Sequence, residues 1–192
     1  NYIGIYSSNE YLTRVNLMHA ADPEYDTPVI SGKRVAVIGG GNTAMDAVRT
    51  SKRLGAERSM IIYRRSIEEM PARVEEIKHA KEEGIEFLNL HNPVEYFADD
   101  QGRVNRMKVQ KMKLGEPDAS GRRRPIPIQG SEFEMDVDMV VVSVGVSPNP
   151  LIPGSMKGLK VTSWGTIEVD GETMHSSIPG MFAAGDIVRG GA

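Results

Sequence analysis

Gly39-Gly40-Gly41-Asn42-Thr43-Ala44 fits the spacing G-x-G-x-x-A. It stands between a short, mainly apolar run from Lys33 to Ile38, which reads as a strand, and a helix expected over Asn42 to Leu54 and closed by Gly55. That context gives each small residue a physical reason. Gly39 permits a tight turn, Gly41 lets a pyrophosphate approach the backbone without meeting a Cβ, and Ala44 lets the helix pack close to the strand. The start of the helix offers free N–H groups and a partial positive charge, to which Asn42 and Thr43 add side-chain hydrogen-bonding groups. Asp46, in the first turns, reads as structural, a carboxylate that suits the helix dipole.

Outward from this turn the pattern repeats. Ser59 to Tyr63 is a second buried strand, Pro71 opens a helix that runs to about Glu83 with Val74 and Ile77 inward, Gly84 stops it, and Ile85 to Leu90 is a third strand. Strand–helix–strand–helix–strand with short links is the mark of a parallel sheet covered on both faces. The period then falls to two. Val94 to Ala98, a turn at Asp99-Asp100-Gln101-Gly102, Val104 to Leu114 and a run through Phe133 and Met135 read as an antiparallel meander, with Gly115 to Gly130 an exposed loop rich in Pro, Gly and Arg. Val137 to Val144 reads as an apolar strand that is expected to rejoin the parallel sheet. Upstream, Tyr2 to Tyr6 reads as a strand and about Asn9 to Ala20 as a helix, with Ser7 and Glu10 at capping-box spacing, and Pro23 and Pro28 make residues 21–31 a linker. Beyond Pro148 and Pro150 only short strand-like runs follow: Leu159 to Val161, Thr166 to Val169 around a Trp164-Gly165 turn, and Met181 to Ala184. The expectation is a three-layer α/β, Rossmann-like dinucleotide-binding domain over residues 31–150, combining a parallel sheet with an antiparallel meander. Residues 1–30 form a crossover strand, helix and linker, and 151–192 a separate partial segment.

At the end of the second strand, about 20 residues beyond the glycines, an NAD-binding unit carries an acidic residue for the adenosine ribose hydroxyls. Here the chain reads Tyr63-Arg64-Arg65, with no carboxylate between Ser59 and Ser66. A guanidinium holds phosphate through paired hydrogen bonds and an acid would repel it, so Arg64 and Arg65 favour the 2′-phosphate of NADP(H). Arg73, one turn into the next helix, is either a further cation for that site or a solvated charge. Arg122-Arg123-Arg124, within the long Pro/Gly loop, reads as a solvated run. Gly145 ends the strand Val142-Ser143-Val144; a side chain there would block a nucleotide lying over the strand ends, and a plain strand-ending turn explains it equally well. In Pro179-Gly180-Met181-Phe182-Ala183-Ala184-Gly185-Asp186 a short apolar run delivers Asp186 at a glycine turn with its carboxylate free to accept hydroxyl hydrogen bonds.

Composition sets the outer limits. With 23 Lys+Arg against 26 Asp+Glu the net charge of −3 gives no basic excess for nucleic acid or an anionic membrane. No apolar run approaches the roughly 18 residues that span a bilayer, and no signal peptide opens the chain, so a cytoplasmic protein is expected. The chain has no Cys, hence no disulfide, redox dithiol or thiolate metal site of its own. Electrons, if they pass, use a bound cofactor. No catalytic acid or base and no metal ligand set is assigned. Asn1 is not an initiator Met and 192 residues are too few for a complete two-nucleotide enzyme, so the chain reads as a piece of a longer polypeptide.

Taken together, G-G-G-N-T-A-M-D (39–46), Y-R-R-S (63–66) with E-M-P-A (69–72), V-G-V-S-P-N (144–149) and P-G-M-F-A-A-G-D (179–186) resemble the NADPH-dependent glutamate synthase small subunit family and, more distantly, the pyridine nucleotide-disulfide oxidoreductases. Ser8 to Asn16 is similar to that family's crossover into its NADPH domain. The resemblance implies an NADPH domain inserted within an FAD domain, with Gly185 and Asp186 on the FAD side and Asp186 hydrogen-bonded to the ribityl chain. It further implies hydride transfer from NADPH to FAD, iron–sulfur clusters upstream, and a large catalytic subunit that receives the electrons. His175-Ser176-Ser177 departs from the family's more frequent Thr-Ser before the Pro-Gly pair. The alternatives are the same module serving a ferredoxin-, sulfide- or pyrimidine-linked acceptor, and a nucleotide-binding module without turnover. A short-chain dehydrogenase is disfavoured, since no Tyr-x-x-x-Lys pair occurs.

Overall fold

The computed structural model describes residues 2–29, 32–117, 121–145 and 148–190. They fall into two units that divide between Val144 and Gly145. In chain order the first unit contains β1 (Ile5–Ser7), α1 (Ser8–Leu12), β2 (Arg34–Ile38), α2 (Asn42–Arg53), β3 (Arg58–Tyr63), α3 (Val74–Glu82), β4 (Glu86–Asn89), β5 (His91–Ala98), β6 (Val104–Pro117), β7 (Arg123–Pro127), β8 (Phe133–Asp136) and β9 (Met139–Val142).

β1, β9, β2, β3 and β4 form, in that order, a parallel sheet. Side chains along a strand point alternately to its two faces, and both faces are buried here. Val35, Val37, Ile61, Tyr63, Met139 and Val141 pack against Tyr11, Met45, Val48 and Ala80 from the three helices. Ala36, Ile38, Met60, Ile62 and Val140 pack against Val104, Met107 and Val109 of the meander. The three layers are therefore helices, parallel sheet and antiparallel sheet, the meander read from the change of period covering the face that the helices leave open. Each fully buried Met, Val or Ile contributes about 1.5–3 kcal/mol relative to exposure, and Val35, Val37, Met45, Met60 and Met107 are all completely enclosed.

Four local expectations need correction. Gly115 to Gly130 is not a plain loop: β6 continues to Pro117 and pairs antiparallel with β7, Leu114 opposite Pro125 and Met112 opposite Pro127. Pro lacks a donor and is tolerated on an edge strand, which is how a proline-rich run still forms one. The third helix starts at Val74, so Pro71 precedes it, and Val74 is 77% exposed rather than inward. The opening strand is shorter than Tyr2 to Tyr6 and lies in the sheet beside β9. The first helix breaks from α1 into a π-helical turn over Thr13–Leu17. Its cap is as expected at one end: the Ser7 hydroxyl accepts from the Glu10 amide at 3.2 Å, whereas the Glu10 carboxylate turns to Arg14.

The second unit holds two short helices, α4 (Leu151–Ser155) and α5 (Asp186–Arg189), and isolated strand pairs, Val161 with Ile167, Val169 with Ser176 and His175 with Phe182. Its expected strands are thus single bridges, and Asp186 opens a helical turn. Among the described residues no helix is long and apolar enough to cross a membrane, and no cluster of three or more His, Asp or Glu is placed to hold a metal ion.

Candidate nucleotide-binding site

All five strands of the parallel sheet point the same way, so their carboxyl ends share one edge. From β2 the chain proceeds through β3 to β4 on one side, and β9 then returns on the other. The order therefore reverses between β2 and β9, and ligands of open α/β sheets bind outside the strand ends at such a switch point. Gly39 follows β2 directly there.

Gly39 and Gly40 are demanded by the protein's own packing. Gly39 has φ 144°, and a Cβ on it would run into the Ser143 carbonyl that follows β9. A Cβ on Gly40 would lie 2.7 Å from the Tyr63 ring. Gly41 is the N-cap of α2, extended at φ −88° and ψ 175°, and its carbonyl accepts the Ala44 and Met45 amides at 3.0 and 3.2 Å. The amides of Asn42 and Thr43, in the first turn, have no acceptor within the helix. No acidic residue stands in that turn, so nothing there would compete with an anion for the helix dipole and these N–H groups. Ala44 is fully buried under the sheet, as close helix packing requires.

The Glu69 to Arg73 segment folds back onto this turn. The Ala72 amide donates to the Gly40 carbonyl at 3.0 Å, and the Asn42 side-chain carbonyl accepts from the Arg73 amide at 2.9 Å. Asn42 is therefore a tie between two loops, and Arg73, expected one turn into the helix, is instead the N-cap of α3. The Arg73 side chain is exposed and forms no hydrogen bond or ion pair among the described residues.

The two arginines after β3 differ. Arg64 is exposed, with no hydrogen bond or ion pair among the described residues. Arg65 is only 8% exposed and its Nε donates to the Arg123 carbonyl at 2.8 Å. The Arg64 guanidinium is thus uncommitted, whereas Arg65 is committed to the fold. Nor is Arg122-Arg123-Arg124 simply a solvated run: Arg122 Nη2 reaches the Tyr63 hydroxyl at 3.0 Å and the Arg123 amide reaches Glu69 Oε1 at 2.9 Å. Sequence reading missed Tyr63 and Glu69. Their proximity to the motifs, within Y-R-R-S and E-M-P-A, was the available signal. Nearby, a side-chain hydrogen bond with Ser66 holds the exposed Glu68 carboxyl below its ordinary range.

In the second unit Gly145 has φ 96° with open space around a would-be Cβ, so its backbone alone calls for glycine. Val146 and Ser147 of the same motif lie outside the described residues. Gly185, φ 79°, caps α5, and Asp186 is exposed.

Residues 4–192 match the family described as pyridine nucleotide-disulphide oxidoreductase. The chain belongs to that family. It is 41% identical over 192 residues to the glutamate synthase [NADPH] small chain of Azospirillum brasilense, covering 97% of this chain and 39% of that protein. It is 46% identical over 164 residues to the NADP(+)-dependent formate dehydrogenase subunit beta of Moorella thermoacetica, covering 85% of this chain and 23% of that protein. The chain thus spans well under half the length of these relatives. Among solved structures, FprA of Mycobacterium tuberculosis in complex with NADPH superposes with a TM-score of 0.72 at 20% identity, over 100% of this chain and 55% of that one. Thioredoxin reductase of T. acidophilum gives 0.62 at 24%, over 81% and 44%. These two likenesses are of fold.

Proposed function

We propose that this chain is the NADP(H)-binding module of a flavoprotein oxidoreductase in which hydride passes from NADPH to FAD, most simply a glutamate synthase small subunit. The observation that carries the reading is the pairing of an acid-free helix start at the switch point with an uncommitted Arg64 at the end of the next strand. In this reading the amides of Gly41, Asn42 and Thr43 hold the pyrophosphate, Asn42 fixes the Arg73 loop beside it, and Arg64 takes the 2′-phosphate, with Arg73 a second cation. Arg65 supports the Arg64 loop. Bound together, the two cofactors supply the redox chemistry, and the protein contributes position, charge complementarity and exclusion of water.

On the FAD side the reading assigns Gly185 and Asp186, whose exposed carboxylate is suited to hydroxyl groups of a ribityl chain, and it takes 1–30, 31–150 and 151–192 as crossover, NADP(H) domain and partial FAD segment. A large catalytic subunit is the proposed electron recipient, in the cytoplasm. Similarity to the formate dehydrogenase subunit supports a second reading, the same module feeding a different acceptor.

The test uses the full-length flavoprotein under anaerobic conditions. NADPH should bleach the flavin's visible absorbance much faster than NADH, and Gly41→Val should abolish that step while the flavin stays bound. Equal rates with the two nucleotides, or bleaching unaffected by Gly41→Val, would overturn the reading.

A further inference from the structure

Tyr63 stands where three segments meet. Its ring covers the bare Cα of Gly40, and its hydroxyl donates to the Glu69 carbonyl at 2.9 Å while accepting from Arg122 Nη2 at 3.0 Å. Arg122 immediately precedes β7 in the arm that β7 forms with the far half of β6, remote in sequence from the 63–69 loop. The same arm grips that loop twice more: the Arg123 amide donates to Glu69 Oε1 at 2.9 Å and the Arg123 carbonyl accepts from Arg65 Nε at 2.8 Å. Arg64 sits between Tyr63 and Arg65. Both of its neighbours are therefore held by the arm, while its own guanidinium is left uncommitted.

We infer that the β6–β7 arm determines nucleotide specificity by positioning Arg64. The inference rests on the NADP(H) reading and adds to it a part of the chain that contributes no residue to the glycine turn. A long side chain on a loose loop must be ordered when it meets its ligand, and that ordering subtracts from affinity; a loop already pinned on both sides of the side chain avoids most of the loss. Arg122 is then a positioning residue. The arm's contribution falls on the 2′-phosphate alone, since the pyrophosphate is held by α2.

The probes are 2′,5′-ADP, which carries the 2′-phosphate, and 5′-AMP, which lacks it, titrated calorimetrically into the chain. Arg122→Ala should weaken 2′,5′-ADP about five- to tenfold while changing 5′-AMP less than about twofold, the size expected when one contact's preorganisation is lost. Tyr63→Phe, which keeps the ring over Gly40 and deletes only the hydroxyl, should likewise weaken 2′,5′-ADP selectively, and the double variant should lose less than the two single losses combined because the two groups share a contact. Arg122→Lys, retaining one donor, should recover part of the loss. Arg124→Ala removes an equal charge from the arm and should have little effect. Equal losses for Arg122→Ala and Arg124→Ala would reveal general electrostatics, and no loss for Tyr63→Phe would show the latch to be irrelevant; either overturns the inference. If the unaltered chain binds 2′,5′-ADP no better than 5′-AMP, the NADP(H) reading itself fails and the inference with it.

Discussion

Gly39 and Gly40 are fixed by what surrounds them, a carbonyl and an aromatic ring, and substitution of either disturbs the fold before it touches a ligand. Gly41 has an extended φ and ψ that any residue adopts. Val at that N-cap costs about 1 kcal/mol of helix capping, so Gly41→Val is expected to fold, melt slightly earlier and lose NADPH affinity by at least about tenfold, equivalent to about 1.4 kcal/mol. Calorimetry alongside thermal melting checks this, and retained affinity would make the turn purely structural. At this scale the G-x-G-x-x-A spacing, the absent acid after β3 and the role of Ala44 were all legible from residue types. The division of labour between Arg64 and Arg65 was not. It depends on where the Arg123 carbonyl lies, 58 residues further along the chain, and nothing in a local pattern encodes such a contact.

Helices and strands declared themselves wherever periodicity and punctuation agreed: α2 between its glycine turn and Gly55, β3 as a buried run. Legibility failed where two rules compete. β7 is an edge strand reading Arg-Arg-Pro-Ile-Pro, which turn chemistry marks as loop and pairing with β6 overrides. α3 begins after, not at, Pro71, because residues 72 and 73 are drawn to the glycine turn by hydrogen bonds to Gly40 and Asn42. At the opposite edge of the sheet β2 and β9 are joined by an ion pair: Asp138 accepts from the Arg34 amide at 2.8 Å, from Nε at 3.1 Å and from Nη2 at 2.7 Å. The hydrogen bond from the Arg34 side chain, foremost, holds the Asp138 carboxyl below its ordinary range. A carboxyl whose folded pKa is depressed stabilises the fold above its unfolded value, about 3.9, and that stability is lost as pH falls through the folded pKa. Urea melts of the unaltered chain should therefore weaken below about pH 4, and Asp138→Asn should be less stable at neutral pH with a flatter acid limb. An identical pH profile for both would show that the pair contributes nothing to acid sensitivity.

The whole chain combines a layered α/β unit with a second unit that has few secondary-structure elements and exposes Trp164 and Phe182. On the proposed reading, its contribution to an FAD site rests on Gly185 and Asp186. One carboxylate adds one or two charge-assisted hydrogen bonds, about 1.5–3 kcal/mol each, too little to offset immobilising a flexible dinucleotide. The purified chain should thus be colourless and, with a dye acceptor and added FAD, should consume NADPH no faster than the free-flavin control; stoichiometric yellow flavin would contradict this. The parallel sheet and the antiparallel meander were readable from the shift in period, whereas the meander's place as the layer opposite the helices and the placement of β9 between β1 and β2, which creates the switch point, were not, since both are set by contacts between distant segments. The central claim, that the glycine turn and Arg64 together read NADP(H), is tested most directly by titrating NADPH and NADH into the unaltered chain and into Arg64→Ala. NADPH should bind the unaltered chain at least about tenfold more tightly, as one charge-assisted phosphate contact of about 1.5 kcal/mol implies, and Arg64→Ala should bring the two affinities together. Equal affinities for NADPH and NADH in the unaltered chain would contradict the account.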